Sequence, residues 1–189
     1  MIANSNLVKK TYFIETYGCT YNQSDSEKIE TILSNQNFIK TSLDDANYII
    51  INTCAVKQTT ETKLMARIYE VSRNYQKKFI IVTGCLPQID KKIYCKIQNM
   101  LLGHGIIVSP NQILSIDKFI DYYLNNNCEQ IHNLQIILDK AKINPQISKS
   151  QISGIVQISE GCIYNCTYCC TKFARGKLFS FDNRLIIKQ

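Results

Sequence analysis

Long apolar runs, a secretory leader and internal repeats are all missing from this 189-residue sequence. A membrane-spanning helix needs roughly 18–20 consecutive apolar residues, whereas the apolar runs at 47–54 and 79–85 stop after a few. The first ten residues, MIANSNLVKK, lack the apolar segment of a secretory signal. We therefore expect a cytoplasmic protein that makes no contact with a membrane.

Composition and length exclude two further classes of protein. Hydrophobic residues make up 45% of the chain and charged residues 20%, which is typical of a globular protein with a packed core and excludes a disordered one. The length accommodates one domain of about 100–150 residues and a fragment of another, which excludes a large multidomain enzyme. The net charge of +7 is compatible with a polyanionic partner, but such an excess is also common in other soluble proteins.

Short β-branched runs alternate with longer amphipathic stretches in the first two-thirds of the chain, a pattern typical of βαβ units and a parallel sheet. The predicted strands are at 11–16, 47–53, 79–83 and 105–108. The predicted fold class is therefore α/β. We expect an amino-terminal domain at 9–125, a connector with one short element at 126–150, and an incomplete second unit at 151–189 that begins with a buried strand at 152–159.

Apolar residues at helical spacing predict helices between these strands. Ser24 or Ser26 is the expected N-cap of the first helix, and Pro110 is expected to open the last one. A short helix is predicted near 89–99. The residues predicted to face the core are Ile29, Ile32 and Leu33, then Leu64, Ile68, Val71 and Tyr75, and after Pro110 Ile113, Ile116, Ile120 and Tyr123.

The nine cysteines favour metal or redox chemistry, because an odd number in a reducing compartment argues against a disulfide framework. Cys19, Cys54 and Cys85 each follow a predicted strand, and the carboxyl ends of parallel strands meet at the edge of the sheet where such folds bind ligands. Three converging thiolates are suited to a soft metal or an iron–sulfur cluster, and Gly18 and Gly84 let the backbone approach closely. The alternative is three ordinary buried cysteines.

A second cysteine set forms a C-x3-C-x2-C motif in one loop, at Cys162, Cys166 and Cys169. Three thiolates hold three irons of a cubane cluster and leave the fourth iron open. The adjacent Cys170 is the alternative fourth ligand of a zinc site, although neighbouring residues point in different directions.

A basic cluster follows that loop at Lys172, Arg175 and Lys177. Contact with nucleic-acid phosphates and a simple solvated helix face are both open interpretations of it. We expect structural roles, or none, for the other candidates: Asn22, Asp25, Cys95, Cys128, His104 and His132.

The second motif, with Tyr168 before its last cysteine, resembles the signature of radical S-adenosylmethionine enzymes. Together with TYGCTYNQSDSE, NTCAV, TGC and KFARGKL, it makes residues 11–181 resemble a methylthiotransferase. Within that family, KFARGKL is most similar to the archaeal and eukaryotic threonylcarbamoyladenosine tRNA methylthiotransferases. Members continue with the rest of a TIM-type barrel and a TRAM domain, so the chain resembles an amino-terminal part.

The resemblance implies two [4Fe-4S] clusters and S-adenosylmethionine as cofactors. Cys162, Cys166 and Cys169 would bind the cluster that chelates S-adenosylmethionine, with Tyr168 nearby. The ligands of an auxiliary cluster, which carries the inserted sulfur, would be Cys19, Cys54 and Cys85.

In such enzymes a 5′-deoxyadenosyl radical removes the C2 hydrogen of the modified adenosine at position 37 in the tRNA anticodon loop, and a methylthio group replaces it. A ferredoxin or flavodoxin would supply the electrons. The alternatives are a truncated, non-catalytic iron–sulfur or zinc module, and a relative that acts on isopentenylated tRNA or on a ribosomal protein.

Overall fold

A five-stranded parallel sheet is the centre of the molecule. The computed structural model describes residues 10–55, 58–101, 103–125, 139–145 and 154–189, without the side chains of 58–60 and 123–125. The strands are β1 (Thr11–Thr16), β2 (Ile39–Lys40), β3 (Tyr48–Thr53), β4 (Phe79–Gly84) and β5 (Gly105–Val108). Their order across the sheet is β2-β1-β3-β4-β5.

The central strands are buried on both faces, which explains why their sequences are continuous apolar runs. Successive side chains of a strand point to opposite faces. Ile50 and Ile81 accordingly pack in one core cluster, whereas Ile49 and Ile80 pack in the other. Two cores, one on each face of the sheet, stabilise the fold.

Helices cover both faces. The longer ones are α1 (Thr20–Asn35), α2 (Gln58–Asn74), α3 (Lys91–Met100) and α4 (Ile116–Asn125). Short 3-10 helices occupy Leu86–Gln88, Pro110–Ser115 and Lys140–Lys142. Apolar residues of α1 and α4 belong to one core, and those of α2 and α3 belong to the other. The arrangement is therefore a three-layer α/β/α architecture, and the predicted α/β class with a parallel sheet is confirmed.

The first helix starts earlier than predicted. Cys19 is the N-cap of α1, so the expected N-cap at Ser24 or Ser26 is wrong. Both serines lie inside the helix and are buried. Ser24 Oγ accepts from Lys28 Nζ over 2.8 Å, and Ser26 Oγ accepts from Asn52 Nδ2 over 2.9 Å. These hydroxyls satisfy buried donors in place of the helix terminus.

The other helical predictions hold with adjusted bounds. Pro110 opens a 3-10 turn that leads into α4, and the helix predicted near 89–99 is α3. Tyr75 lies just beyond the end of α2 and packs against the core. The side chain of Tyr123 lies outside the described residues, whereas the other residues predicted to face the core are buried: Ile29, Ile32, Leu33, Leu64, Ile68, Val71, Ile113, Ile116 and Ile120.

The carboxy-terminal segment differs from the prediction. It contains β6 (Ser159–Glu160) paired antiparallel with β7 (Phe179–Ser180), and the short helices α5 (Thr171–Arg175) and α6 (Asn183–Ile187). The buried strand predicted at 152–159 is wrong, since residues 154–158 form no strand and Ile158 is 62% exposed. A strand needs a neighbour, and in the described part of the chain only the two-residue β7 pairs here.

In the described ranges, no helix combines the length and apolar character needed to span a bilayer.

Candidate functional site: a cysteine-lined cavity at the sheet edge

Three cysteines follow three neighbouring strands at the carboxyl edge of the sheet. Cys19 comes after β1, Cys54 directly after β3 and Cys85 directly after β4. Cys19 caps α1, Cys85 caps the 3-10 helix Leu86–Gln88, and the backbone N–H of Cys85 donates to Thr53 O over 2.8 Å. The parallel topology thus brings residues from separate parts of the sequence to one edge, as the pattern of strand and cysteine predicts.

The two glycines before Cys19 and Cys85 are required by this close approach. Gly18 has φ +129° and Gly84 has φ +94°, where side chains are disfavoured. A Cβ at Gly84 would overlap the carbonyl oxygen of Thr53, and one at Gly18 would lie 2.7 Å from Cys54 Cβ. The cysteine loops therefore pack against each other in a way that only glycine permits.

A buried amide pair fixes these loops. Asn22 Nδ2 donates to Asn52 Oδ1 and to Thr53 O, both over 2.9 Å, and Asn52 Nδ2 donates back to Asn22 O over 2.8 Å. The Cys19 thiol donates to Asn22 Oδ1 over 3.4 Å. The structural role expected for Asn22 is confirmed, and it includes orienting the Cys19 thiol.

These loops form one wall of a cavity of about 220 Å³, and the carboxy-terminal segment forms the other. Its lining residues are Cys19, Tyr21, Ala55, Cys85, Gly161, Cys170, Thr171, Ala174 and Arg175. The cavity contains two of the three amino-terminal cysteines and also Cys170, which the sequence pattern grouped with the other motif.

A buried ion network joins the two walls. Arg175 Nη1 lies 2.8 Å from Asp25 Oδ2 and 2.7 Å from Glu160 Oε1, and Lys140 Nζ lies 2.8 Å from a carboxylate oxygen of each of the same two acids. All four side chains are buried. Two cations and two anions therefore balance each other without solvent.

This network corrects the prediction for Arg175. The guanidinium is 6% exposed and is held by carboxylates, so it is not available to a nucleic-acid phosphate. Lys172 donates to Asn165 Oδ1 at the surface, and Lys177 is exposed. Asp25, for which a structural role was expected, is confirmed as a structural residue, but as a buried ion-pair partner and not as a cap.

The charges of the network change the protonation of its neighbours. Burial opposes ionisation of Asp25, but Lys140 and Arg175 outweigh it and hold the pKa of the carboxyl below its usual value. Burial raises the pKa of the Cys85 thiol, and the positive charge of Arg175 acts in the opposite direction. An electropositive wall thus favours negative charge on sulfur in this cavity.

The second cysteine motif forms a surface loop. The Cys162 N–H donates to Gly176 O and the Cys169 N–H donates to Cys166 O, both over 3.1 Å. A hydrogen bond with Thr171 lowers the pKa of the Cys169 thiol, which increases its thiolate fraction. Tyr168 is 91% exposed.

All eight described cysteines are free thiols. In the part of the chain that the structure covers, no three His, Cys, Asp or Glu side chains meet closely enough to hold a single metal ion. The assignment of Cys19, Cys54 and Cys85, and of Cys162, Cys166 and Cys169, as ligands stays a prediction. Cys95 is an exposed residue of α3, whereas Cys128 and His132 lie outside the described residues.

Sequence reasoning missed Lys140 and Glu160 and did not connect Cys170 with the sheet edge. Lys140 and Glu160 lie where no periodic pattern marks a buried face. For Cys170, the available signal was an extra cysteine beside a complete motif.

Comparison with known proteins identifies the class of domain. Residues 11–103, which include the sheet up to α3 and its three cysteines, match the family described as "Uncharacterized protein family UPF0004".

Longer alignments identify the relatives. The chain is 36% identical over 177 residues to the "Probable threonylcarbamoyladenosine tRNA methylthiotransferase" of Methanothermobacter thermautotrophicus, covering 94% of this chain and 40% of the relative. The protein of the same name from Archaeoglobus fulgidus is 35% identical over 93% of this chain and 39% of its own length. The "tRNA-2-methylthio-N(6)-dimethylallyladenosine synthase" of Karelsulcia muelleri is 34% identical, with 97% and 40% covered.

The chain therefore belongs to the methylthiotransferase family, and it spans about 40% of the length of these curated relatives.

Proposed function

We propose that the chain forms the amino-terminal part of a tRNA methylthiotransferase in which Cys19, Cys54 and Cys85 bind a [4Fe-4S] cluster. The observation that carries this proposal is the meeting of cysteine loops from three neighbouring strands at the edge of one cavity. The names of the relatives support the activity.

The donor set suits an iron–sulfur cluster. Thiolates are its usual protein ligands, and each cysteine binds a different iron. The ligands therefore surround a volume and do not meet at one point, which is compatible with Cys19 and Cys85 lining a cavity of about 220 Å³. When bound, this group would carry the sulfur that is transferred.

Residues of the chain prepare the cavity for such a group. Asn22 orients the Cys19 thiol through its amide oxygen. Arg175 contributes positive charge beside Cys85, and that charge favours the thiolate form that iron requires. Its ion pairs keep the guanidinium in place against the sheet edge.

Cys162, Cys166 and Cys169 are proposed as ligands of a second [4Fe-4S] cluster that binds S-adenosylmethionine, with Tyr168 beside the cofactor. Residues 151–189 would then be the start of a radical S-adenosylmethionine barrel. A cytoplasmic ferredoxin or flavodoxin would supply electrons. The exposed Lys172 and Lys177 remain candidates for contact with tRNA phosphates.

The proposed substrate is N6-threonylcarbamoyladenosine at position 37 of tRNA, which would be converted to its 2-methylthio derivative. The names of the archaeal relatives support this choice. The similarity to a dimethylallyladenosine-specific relative makes isopentenylated tRNA the second candidate.

Nucleoside mass spectrometry of tRNA tests the proposal in cells that carry this gene. Disruption of the gene should remove 2-methylthio-threonylcarbamoyladenosine and leave its unmodified precursor. The wild-type gene and a Cys95→Ser control should restore the methylthio group, whereas a Cys19→Ala/Cys54→Ala/Cys85→Ala gene should not. Loss of the dimethylallyl derivative would favour the second candidate, and unchanged nucleosides would contradict the proposal.

A further inference from the structure

Cys170 lies with the amino-terminal cysteines, although it follows the second motif directly in sequence. It lines the same cavity as Cys19 and Cys85. Its thiol donates to the carbonyl oxygen of Ala55, the residue after Cys54, over 3.6 Å. Thiols from the sheet edge and from the carboxy-terminal segment therefore border one volume.

A buried cation in the wall indicates that this volume takes a negatively charged occupant. Arg175 lines the cavity and is 6% exposed. Its Nη1 is used by Asp25 and Glu160, but its Nη2 is buried and has no hydrogen-bond partner among the described residues. Because an unpaired buried donor is costly, an acceptor bound in the cavity would stabilise this arrangement.

We propose that Cys170 is a fourth thiol ligand of the amino-terminal cysteine site, and that Arg175 Nη2 donates to a sulfur anion bound there. The inference rests on the proposed function, which assigns Cys19, Cys54 and Cys85 to this site. It replaces the alternative in which Cys170 completes a zinc site with the cysteines of its own loop. Cys170 takes the position that a three-cysteine ligand set leaves open, so four protein thiols close the loaded site.

Thiol alkylation of the whole chain tests the assignment without an activity assay. The chain is reconstituted anaerobically with iron and sulfide, treated with iodoacetamide and mapped by mass spectrometry, and the apo chain provides the baseline. Modification of Cys170 should fall by about tenfold or more on loading, because a ligated thiolate is not free to react. Cys95, an exposed thiol on α3, is the internal control and should stay reactive.

Two variant backgrounds identify the site to which Cys170 belongs. Protection of Cys170 should persist in Cys162→Ala/Cys166→Ala/Cys169→Ala and disappear in Cys19→Ala/Cys54→Ala/Cys85→Ala. If the latter variant does not fold, Cys19→Ser alone, at an exposed position, should weaken the protection measurably.

The reverse pattern would assign Cys170 to the second motif and overturn the inference. Protected Cys19 beside a reactive Cys170 would overturn this inference but leave the proposed function intact. Equal reactivity of Cys19 in the apo and reconstituted chains would contradict the proposed function itself.

Discussion

Arg175 Nη1 lies 2.8 Å from Asp25 Oδ2, although the two residues are 150 positions apart in the sequence. Asp25 belongs to α1 on the sheet, and Arg175 ends α5 beside the second cysteine motif. Glu160 and Lys140 complete a buried set of four charges. This network attaches the carboxy-terminal segment to the sheet edge and thereby forms the cysteine-lined cavity.

Removing one member of the network should strongly destabilise the protein. Arg175→Met leaves two buried carboxylates with one cation, and breaking a buried ion pair on one side costs about 3–5 kcal/mol. Urea unfolding should record this loss. The matched control Lys177→Met, at an exposed position, should change the free energy of unfolding by less than about 0.5 kcal/mol. Equal effects of the two substitutions would contradict the account of the network.

The same network should make the protein sensitive to acid. Because the pKa of Asp25 is held below its usual value of 3.8, its contribution to stability is present above that pH and is lost as the pH falls through the lower folded-state pKa. The free energy of unfolding, measured in urea from pH 5 to about pH 2, should decline less steeply in Asp25→Asn than in the wild type. Parallel pH profiles would contradict the predicted role of Asp25.

Close packing of the cysteine loops predicts different costs at two glycines with similar backbone angles. Gly84 has φ +94° and Gly103 has φ +80°, but a Cβ meets the Thr53 carbonyl at Gly84 and nothing within 4 Å at Gly103. Gly103→Ala should therefore cost about 1–2 kcal/mol for the left-handed conformation alone. Gly84→Ala should cost clearly more, as measured by thermal or urea unfolding. Similar costs would show that the loops can move apart freely.

The two cysteine sets should load independently. The Cys162→Ala/Cys166→Ala/Cys169→Ala variant should lose about half of the reconstituted iron, and the Cys19→Ala/Cys54→Ala/Cys85→Ala variant should lose the other half, because each set holds one cluster of about four irons. Iron and sulfide analysis measures both. Loss of all iron from either variant would indicate a single shared site.

The sheet and its cysteine edge were predictable because local patterns carry them. Each central strand is a continuous β-branched run that is buried on both faces, and Cys54 and Cys85 follow two such runs directly. Parallel topology then brings the cysteines together without any further information.

The ion network and the place of Cys170 were not predictable in this way. Lys140 lies in a segment without periodicity, and its partners Asp25 and Glu160 are 115 and 20 positions away. No local pattern encodes such pairing. The apolar run at 152–159 was misleading because residues 154–158 have no neighbouring strand in the described structure, so tertiary context outweighed strand propensity.

Metal and sulfide content after anaerobic reconstitution tests the central claim most directly. Two cysteine sets that each hold a cubane cluster predict about eight irons and eight sulfides per chain, with the visible absorption of iron–sulfur clusters. Zinc in place of iron, or a chain that retains no metal, would contradict the claim that these cysteines are cluster ligands.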